Sequence, residues 1–471
     1  MNRVLIVLVA FCSVVFAEKP NVLFIAVDDL YPELGCYGNE MIKSPTIDRI
    51  ASEGMLFERA YCQQAVCGPS RLSLMLGVHP DRVKVYGMTL RDEWRKHRPG
   101  FTSLPEQFRK HGWTAVGFGK IYDNRLGLDV GHTWDEFTQG WKPHYVRPEN
   151  VEQFKLSRQS KEVRMPAVEC ADVPDNRYTD GHVADMAVQA VQQYDGEKPL
   201  FLAVGFPKPH LPFVAPKKYW DLYDRNQIHV PENNQAPINC TEYTLSKYKE
   251  VFDYDVPDPI PDTVARELIH GYYACVSYVD AQIARVLKAF EEKGLLDNTI
   301  IVLWGDHGFK LGHHGEWAKH TNLERDARVP LMIRLPGQKT AGSKTDSIVE
   351  LVDLFPTLCE AAGLDIPDTA EGRSLLPILG NPKAKVRDFA LSQYPHEKCM
   401  GYSIRTANWR YTEWRRIWNG KVQARELYDL ENNPIEKENV LDAQPEEARE
   451  HAVLLEKYLS GAKQWDGETI W

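Results

Sequence analysis

Beyond its first 17 residues the 471-residue chain has no apolar run approaching the roughly 20 residues that a membrane-spanning helix requires, so nothing there is expected to insert in a bilayer. It also lacks blocks of like charge. The formal net charge of −10 is spread along the chain. That argues against a nucleic-acid or anionic-membrane surface, while leaving room for a pocket that concentrates cations. Cysteine is sparse. Of the nine, Cys12 lies in the N-terminal apolar run and Cys67 in a motif of its own; the seven others are an odd number, which excludes a disulfide-framework protein. No heptad array, internal repeat or low-complexity tract is present, so coiled coils and solenoids are excluded as well.

What remains is ordinary globular composition, 43% hydrophobic and 26% charged, in a chain long enough for a large α/β domain and an appendage. Residues 1–17 carry Arg3, a short apolar core over 4–16 and a small residue, Ala17, at the end. This is the pattern of a secretory signal peptide, so the mature protein is expected to be exported to a periplasmic, secreted or lysosomal-type compartment.

Apolar stretches of strand length recur at 21–27, 56–61, 114–118, 200–205, 299–304 and 331–335. Helical patterns at 45–53, 70–76, 104–111, 183–193, 264–293 and 354–362 separate them. The alternation predicts the α/β class, with a large, mostly parallel sheet flanked by helices. Residues 131–176 read as an irregular surface insertion, and 226–262 as a long loop rich in Pro and Asn over one face. Beyond about residue 392, short strands at 403–406, 409–414 and 426–429 and a charged helix over 445–459 predict a smaller α+β subdomain. The expected division is a signal peptide (1–17), a main domain (18–395) and a C-terminal antiparallel-sheet subdomain (396–471).

Polar residues gather at the ends of the apolar strands. Asp28-Asp29 follows the first, Gly119-Lys120 another, Phe206-Pro207-Lys208-Pro209-His210 a third and Gly305-Asp306-His307-Gly308 a fourth. In parallel α/β sheets ligands bind outside the carboxyl ends of the strands. Each group alone has a plain explanation: a helix-capping aspartate, a surface lysine, a loop histidine. Their joint placement does not, and it is accompanied by C-G-P-S-R-L-S-L-M-L-G, running from Cys67 through Pro69 and Arg71 to Gly77.

Residues 20–29 (P-N-V-L-F-I-A-V-D-D), the Cys67-x-Pro69-x-Arg71 motif, Gly119-Lys120 and Gly305-Asp306-His307-Gly308 together resemble the formylglycine-dependent sulfatases of the alkaline phosphatase superfamily. Further matches are similar to the iduronate-2-sulfatase branch. They are Lys208-Pro209-His210-Leu211-Pro212-Phe213, His314-Gly315-Glu316-Trp317-Ala318-Lys319, and Ser392-Gln393-Tyr394-Pro395 with Met400-Gly401-Tyr402-Ser403-Ile404-Arg405-Thr406. The resemblance implies an alkaline phosphatase-like fold and hydrolysis of O-sulfate esters of a carbohydrate, such as polysaccharide or glycosaminoglycan fragments.

It further implies that a maturing enzyme oxidises Cys67 to formylglycine, whose hydrated diol attacks sulfur. A divalent metal, calcium in the family, would be held by Asp28, Asp29, Asp306 and His307 with an oxygen of the modified Cys67. Three carboxylates suit a hard cation, whereas a histidine ligand is more natural for zinc or manganese. Arg71 would hydrogen-bond the diol, Lys120 and Lys319 would bind the sulfate oxygens, and His210 would give a proton to the leaving oxygen. One position departs from the pattern. Where the family has a histidine shortly after the lysine, this chain has Asp123, which would repel a uronate carboxylate; His132 is a spatial substitute to be considered.

Trp304, Phe309, Lys310, His313, His314, Trp317 and His320 are expected near the pocket mouth as sugar contacts. Two other readings compete. A phosphate ester hydrolase on the same scaffold would use a Ser or Thr nucleophile and two transition metals. A catalytically silent carbohydrate-binding homologue would lack some of Cys67, Arg71 and the metal carboxylates, all of which are present.

Overall fold

Strand β1 (Asn21–Val27) is buried along its whole length and alternates strictly between two cores. Leu23, Ile25 and Val27 join one hydrophobic cluster, while Val22, Phe24 and Ala26 join the other. A slip of one residue would exchange the two sets, so the period-2 pattern fixes the register. The computed structural model describes residues 18–87, 100–123 and 131–461; the expected signal peptide at 1–17 lies outside the described residues.

In spatial order the main sheet runs β10 (Ser343–Glu350), β2 (Met55–Tyr61), β9 (Arg328–Arg334), β8 (Thr299–Gly305), β1, β6 (Leu200–Phe206), β3 (Thr114–Gly119) and β4 (Glu136–Thr138). From β8 to β4 all neighbours are parallel, and only β9 runs against its neighbours. The chain leaves β1 for both sides of the sheet, so the crevice outside its carboxyl end is a switch point of the kind where α/β sheets hold ligands.

Helices cover both faces: α1 (Pro45–Glu53), α2 (Cys67–Leu76), α3 (Leu104–Lys110), α4 (Thr179–Gln193), α5 (Asp262–Glu292) and α6 (Leu354–Ala361). Helices α1, α4 and α5 pack on the first cluster, through Ile47, Val183 and Val276 among others. Helices α2, α3 and α6 pack on the second, through Leu74, Phe108 and Phe355. A fully buried side chain of this kind contributes about 1.5–3 kcal/mol, and the two layers hold the sheet edge rigid.

The C-terminal part forms a four-stranded antiparallel sheet of β11 (Ala390–His396), β12 (Cys399–Arg405), β13 (Trp409–Arg416) and β14 (Val422–Asp429). Leu455 of α7 (Pro445–Gly461) packs on it with Ile404, Tyr411 and Leu427. Strand β11 thus belongs with the C-terminal sheet, upstream of the boundary expected after residue 395.

Two other expectations change. The segment 131–176 is not wholly irregular: it carries β4, a helix (Pro148–Ser157) and β5 (Val168–Ala171), which pairs with β7 (Phe213–Pro216). Helix α2 begins at Cys67 rather than at Ser70, with Pro69 in its first turn, where a missing N–H costs nothing, and with Gly77 left-handed at its end (φ 66°). All eight cysteines among the described residues are free, and no described helix is long and apolar enough to cross a membrane.

Candidate active site

Four strand ends deliver the polar residues to one place. Asp28 leaves β1, Lys120 leaves β3, His210 comes from the turn after β6, and Asp306 and His307 leave β8. Helix α2 points its first turn at them. The approach of β3 to β6 depends on glycine: Gly119 is left-handed (φ 79°), and a Cβ there would overlap the Gly205 carbonyl oxygen.

Arg71, fully buried, ties the cluster together. Its Nε donates to Asp306 Oδ2 at 2.8 Å and its Nη2 to Asp28 Oδ1 at 3.1 Å. Its Nη1 donates to the Lys120 and Ile121 carbonyls. The Trp304 ring lies behind the guanidinium, 5.5 Å from it. Lys120 Nζ pairs with Asp28 Oδ2 and stands 3.6 Å from Cys67 Sγ. Burial works against the Asp28 charge, but Lys120 and Arg71 outweigh it and hold the carboxyl well below its usual range.

On the other side, Lys319 Nζ donates to both oxygens of Asp29, at 3.1 and 3.0 Å. The Asp29 backbone is left-handed (φ 57°) and is pinned by its N–H to Asp306 Oδ1 (3.1 Å) and by Tyr272 of α5, whose hydroxyl donates to its carbonyl (2.8 Å). Burial pushes the Asp29 carboxyl up, and Asp28, Glu250 and Asp306 add to the push against Lys319.

His307 donates from Nδ1 to the Gly308 carbonyl at 3.0 Å, which leaves Nε2 as the unprotonated edge, 3.1 Å from Cys67 Sγ. Burial keeps this imidazole neutral by pushing its pKa down. Burial and the nearby Asp28 push the Cys67 thiol up, so it rests as a thiol, 1% exposed. Donor atoms of Asp28, Cys67, Asp306 and His307 all lie within 4.8 Å of one another, as do those of Asp28, Asp29, Cys67 and His210. A neutral imidazole and closely packed carboxylates, one of them driven up by burial and by its acidic neighbours, fit a divalent cation.

His210 donates from Nδ1 to the Leu211 carbonyl (2.7 Å), and its Nε2 lies 3.2 Å from Glu250 Oε1. Burial and Lys319 push its pKa down, to about 3, with Glu250 acting against them. Lys208, from the same turn, donates Nζ to the carbonyls of His210 and Pro212, both at 2.6 Å, and so clamps the turn from inside. A cleft of about 460 Å³ opens from the cluster, with Asp28, Lys120, Asp123 and His210 at one part of its lining and Trp141, Lys142, Tyr145 and Arg158 elsewhere.

The sequence-predicted residues Asp28, Asp29, Cys67, Arg71, Lys120, His210, Asp306, His307 and Lys319 are therefore brought together. Asp123 is 2% exposed and lines the cleft, whereas His132 lines a separate surface depression with Arg109 and Asp135 and does not stand in for the missing histidine. The expected sugar contacts are corrected too. Trp304, Phe309, Lys310, His314 and Trp317 are buried, and Lys310 is spent on ion pairs with Asp326 and Glu316. Trp304 and Phe309 lie behind Arg71 and Lys319 respectively rather than at a mouth. Glu250, in the 226–262 loop, was missed; a single carboxylate in a loop carries no local signal of what it faces.

The sulfatase family pattern matches residues 20–364. The chain belongs to the sulfatase family. It is thus an enzyme, a sulfuric ester hydrolase. A second pattern, N-sulphoglucosamine sulphohydrolase, C-terminal, matches residues 312–463 of this sulfatase. Iduronate 2-sulfatase of Mus musculus is 32% identical, over 89% of this chain and 90% of that protein. Two solved structures share the fold. One is in complex with its substrate D-glucosamine-2-N,6-O-disulfate (TM-score 0.74, 23% identity, covering 94% of this chain and 98% of that one). The other is the phosphonate monoester hydrolase of Agrobacterium radiobacter (TM-score 0.72, 21% identity, 94% and 96%). Fold alone does not choose between sulfur and phosphorus; the family membership does.

Proposed function

We propose that this sulfatase removes O-sulfate esters from a carbohydrate, a polysaccharide or glycosaminoglycan fragment, with Cys67 matured to formylglycine as its nucleophile. The observation that carries this is the position of Cys67. It opens a buried helix, 3.1 Å from His307 and 3.6 Å from Lys120, inside a ring of carboxylates and cations. The carbohydrate class is supported by the iduronate 2-sulfatase relatives and by the disulfated glucosamine held by the neighbouring structure.

Hydrated formylglycine would supply two hydroxyls where the thiol has one ionisable group. A divalent cation, proposed to be calcium, would be held by Asp28, Asp29, Asp306 and His307 with residue 67, and would shield a sulfate oxygen. The chain's own residues do the rest. Arg71 fixes Asp28 and Asp306, lies one helical turn from residue 67, and is proposed to hydrogen-bond the diol. Lys120 and Lys319 present ammonium groups where negative charge develops on the sulfate oxygens. The proton for the leaving sugar oxygen is assigned to His210, which must carry it on Nε2 because its Nδ1–H is held by the Leu211 carbonyl. Residues 1–17 are read as an export signal, and a maturing enzyme for Cys67 is the implied partner.

The test is mass spectrometry of the Cys67 peptide from active protein, together with a panel of glucosamine 6-O-sulfate, uronate 2-O-sulfate and 4-nitrophenyl phosphate. Maturation changes the peptide by about −18 Da, and the sugar sulfates, not the phosphate, should be cleaved. Active protein with unmodified Cys67, or cleavage of the phosphate alone, would overturn the reading.

A further inference from the structure

Beyond the edge strand β4 the chain forms an arm, residues 139–158, that lines one wall of the cleft. Its path is fixed. Gly140 is left-handed (φ 63°), and a Cβ there would overlap Met186 Cε of α4. Lys142 N donates to Thr179 Oγ1 at 3.1 Å, and the buried Tyr145 hydroxyl donates to the Pro166 carbonyl at 2.6 Å. His144 packs edge-on against Phe154 of the helix Pro148–Ser157, with ring centroids 5.8 Å apart, and Arg158 follows one turn later.

What the arm presents to the cleft is an indole and two cations. Trp141 is 39% exposed, and its Nε1 is already satisfied by Gln139 Oε1 at 2.9 Å, which leaves the ring as an apolar wall. Lys142 and Arg158 line the same cleft as Asp28, Lys120 and His210. Among the described residues neither has an acid partner. The two acids of the arm are engaged elsewhere, Glu149 with Arg147 and Glu152 with Lys155. Buried Glu169 accepts from Val146 N, Arg147 N and the Tyr178 hydroxyl. The other ammonium groups of the cleft are committed too, Lys120 to Asp28 and Lys208 to the carbonyls of His210 and Pro212.

Water alone satisfies one exposed cation, so a single such residue carries nothing. Two of them beside an exposed indole, in the cleft that holds the nucleophile, make an anion site next to a platform for a sugar ring. At about 460 Å³ the cleft is in the range that takes a drug-sized ligand, so it has room for more than one sulfate group. Asp28 and Lys120 come from the strand ends and Lys142 and Arg158 from the arm, so the second charge is met away from the scissile sulfate. We infer that Trp141, Lys142 and Arg158 form a second subsite, which holds the adjoining ring of an oligosaccharide by an anionic group, sulfate or carboxylate, that is not itself cleaved. The inference rests on the carbohydrate sulfatase reading of the same cleft.

Steady-state kinetics test it with the sugar sulfate of the panel that wild type cleaves best. That monosaccharide is compared with disaccharides in which it precedes or follows a neutral, a sulfated or a carboxylated ring. In one of the two orders, wild type should show kcat/KM about 10-fold higher with a charged ring than with the neutral one, and about 0.3 M salt should shrink that preference. K142Q/R158Q should lose the preference through KM, and each single variant should lose part of it. W141A should lower kcat/KM for the disaccharides of that order relative to the monosaccharide. Which charged ring is preferred identifies the anion as sulfate or carboxylate. Cleavage of the monosaccharide alone, equal kcat/KM for neutral and charged rings in wild type, or an unchanged preference in K142Q/R158Q would overturn the subsite. If wild type cleaves no sugar sulfate, the proposed function fails and the subsite with it; if it cleaves them without regard to the second ring, only the subsite fails.

Discussion

Asp123, where the resemblance to the family leads one to expect a histidine, is buried beside Lys120 in the cleft, and its charge there has a consequence. A carboxylate there is a fixed negative charge facing any acid carried by the sugar, and like charges in a partly dry site are strongly unfavourable. Asp123→Asn should therefore improve kcat/KM for a uronate 2-O-sulfate relative to glucosamine 6-O-sulfate by roughly 10-fold, about 1.4 kcal/mol. An unchanged ratio would remove Asp123 from the specificity of the site. The residue scale is also where the sequence was most readable. Asp28, Lys120 and Asp306-His307 interrupt apolar runs at their ends, so each announces a strand terminus as well as a function. Trp304 misled for the same reason: it lies inside a buried strand, where an aromatic has no route to a ligand. Glu250 and His132 could not be placed at all, because what a loop residue faces is decided by how distant segments pack and leaves no local periodicity.

At the scale of elements, the junction of β3 and β6 is the tightest point in the frame of the site. Gly119→Ala would put a side chain into a left-handed residue and against the Gly205 carbonyl. The cost should be at least about 2 kcal/mol in urea denaturation. Its reach should be longer than that figure suggests, since the Lys120 carbonyl just beyond accepts from Arg71, and kcat should fall further than stability. A stable and fully active G119A would show that β3 tolerates a shift. The order of most elements was legible from the spacing of apolar residues, although β7, β10 and β11 were not read. The start of α2 was not, because Gly68-Pro69 reads as a turn although proline is at home in a first helical turn. The short strands β4 and β5, three and four residues long, were lost within a polar stretch for want of enough repeats to show a period.

At the scale of the whole molecule, the main sheet, the segment after α2 and helix α7 meet around His79. Its Nε2 and Nδ1 lie 3.3 Å from Glu350 and Glu371 respectively, its ring lies 5.8 Å from that of Tyr458, and Arg387 pairs with Glu350. Burial opposes the His79 charge, but Glu350 and Glu371 overcome it and raise the pKa from 6.5 to about 10. Burial likewise opposes the Glu350 charge, yet Arg387 and His79 bring its pKa from 4.5 down to about 2. The histidine's contribution is complete below pH 6.5 and is lost as the pH climbs towards 10; that of Glu350 is complete above pH 4.5 and is lost as the pH falls towards 2. Both are therefore whole between pH 4.5 and 6.5. His79→Ala should destabilise more at pH 6 than at pH 9 in urea melts; an equal loss at both would show that His79 acts by packing alone. One feature of the site reaches beyond the finished molecule. Cys67 is 1% exposed, at the foot of a helix whose ten residues are all buried. A maturing enzyme could not close its own active site around a sulfur so placed, so the conversion proposed above for Cys67 belongs to the interval between synthesis and folding. On that proposal, a chain that folds too early, or is refolded from an unconverted state, reproduces every contact described above and remains inert.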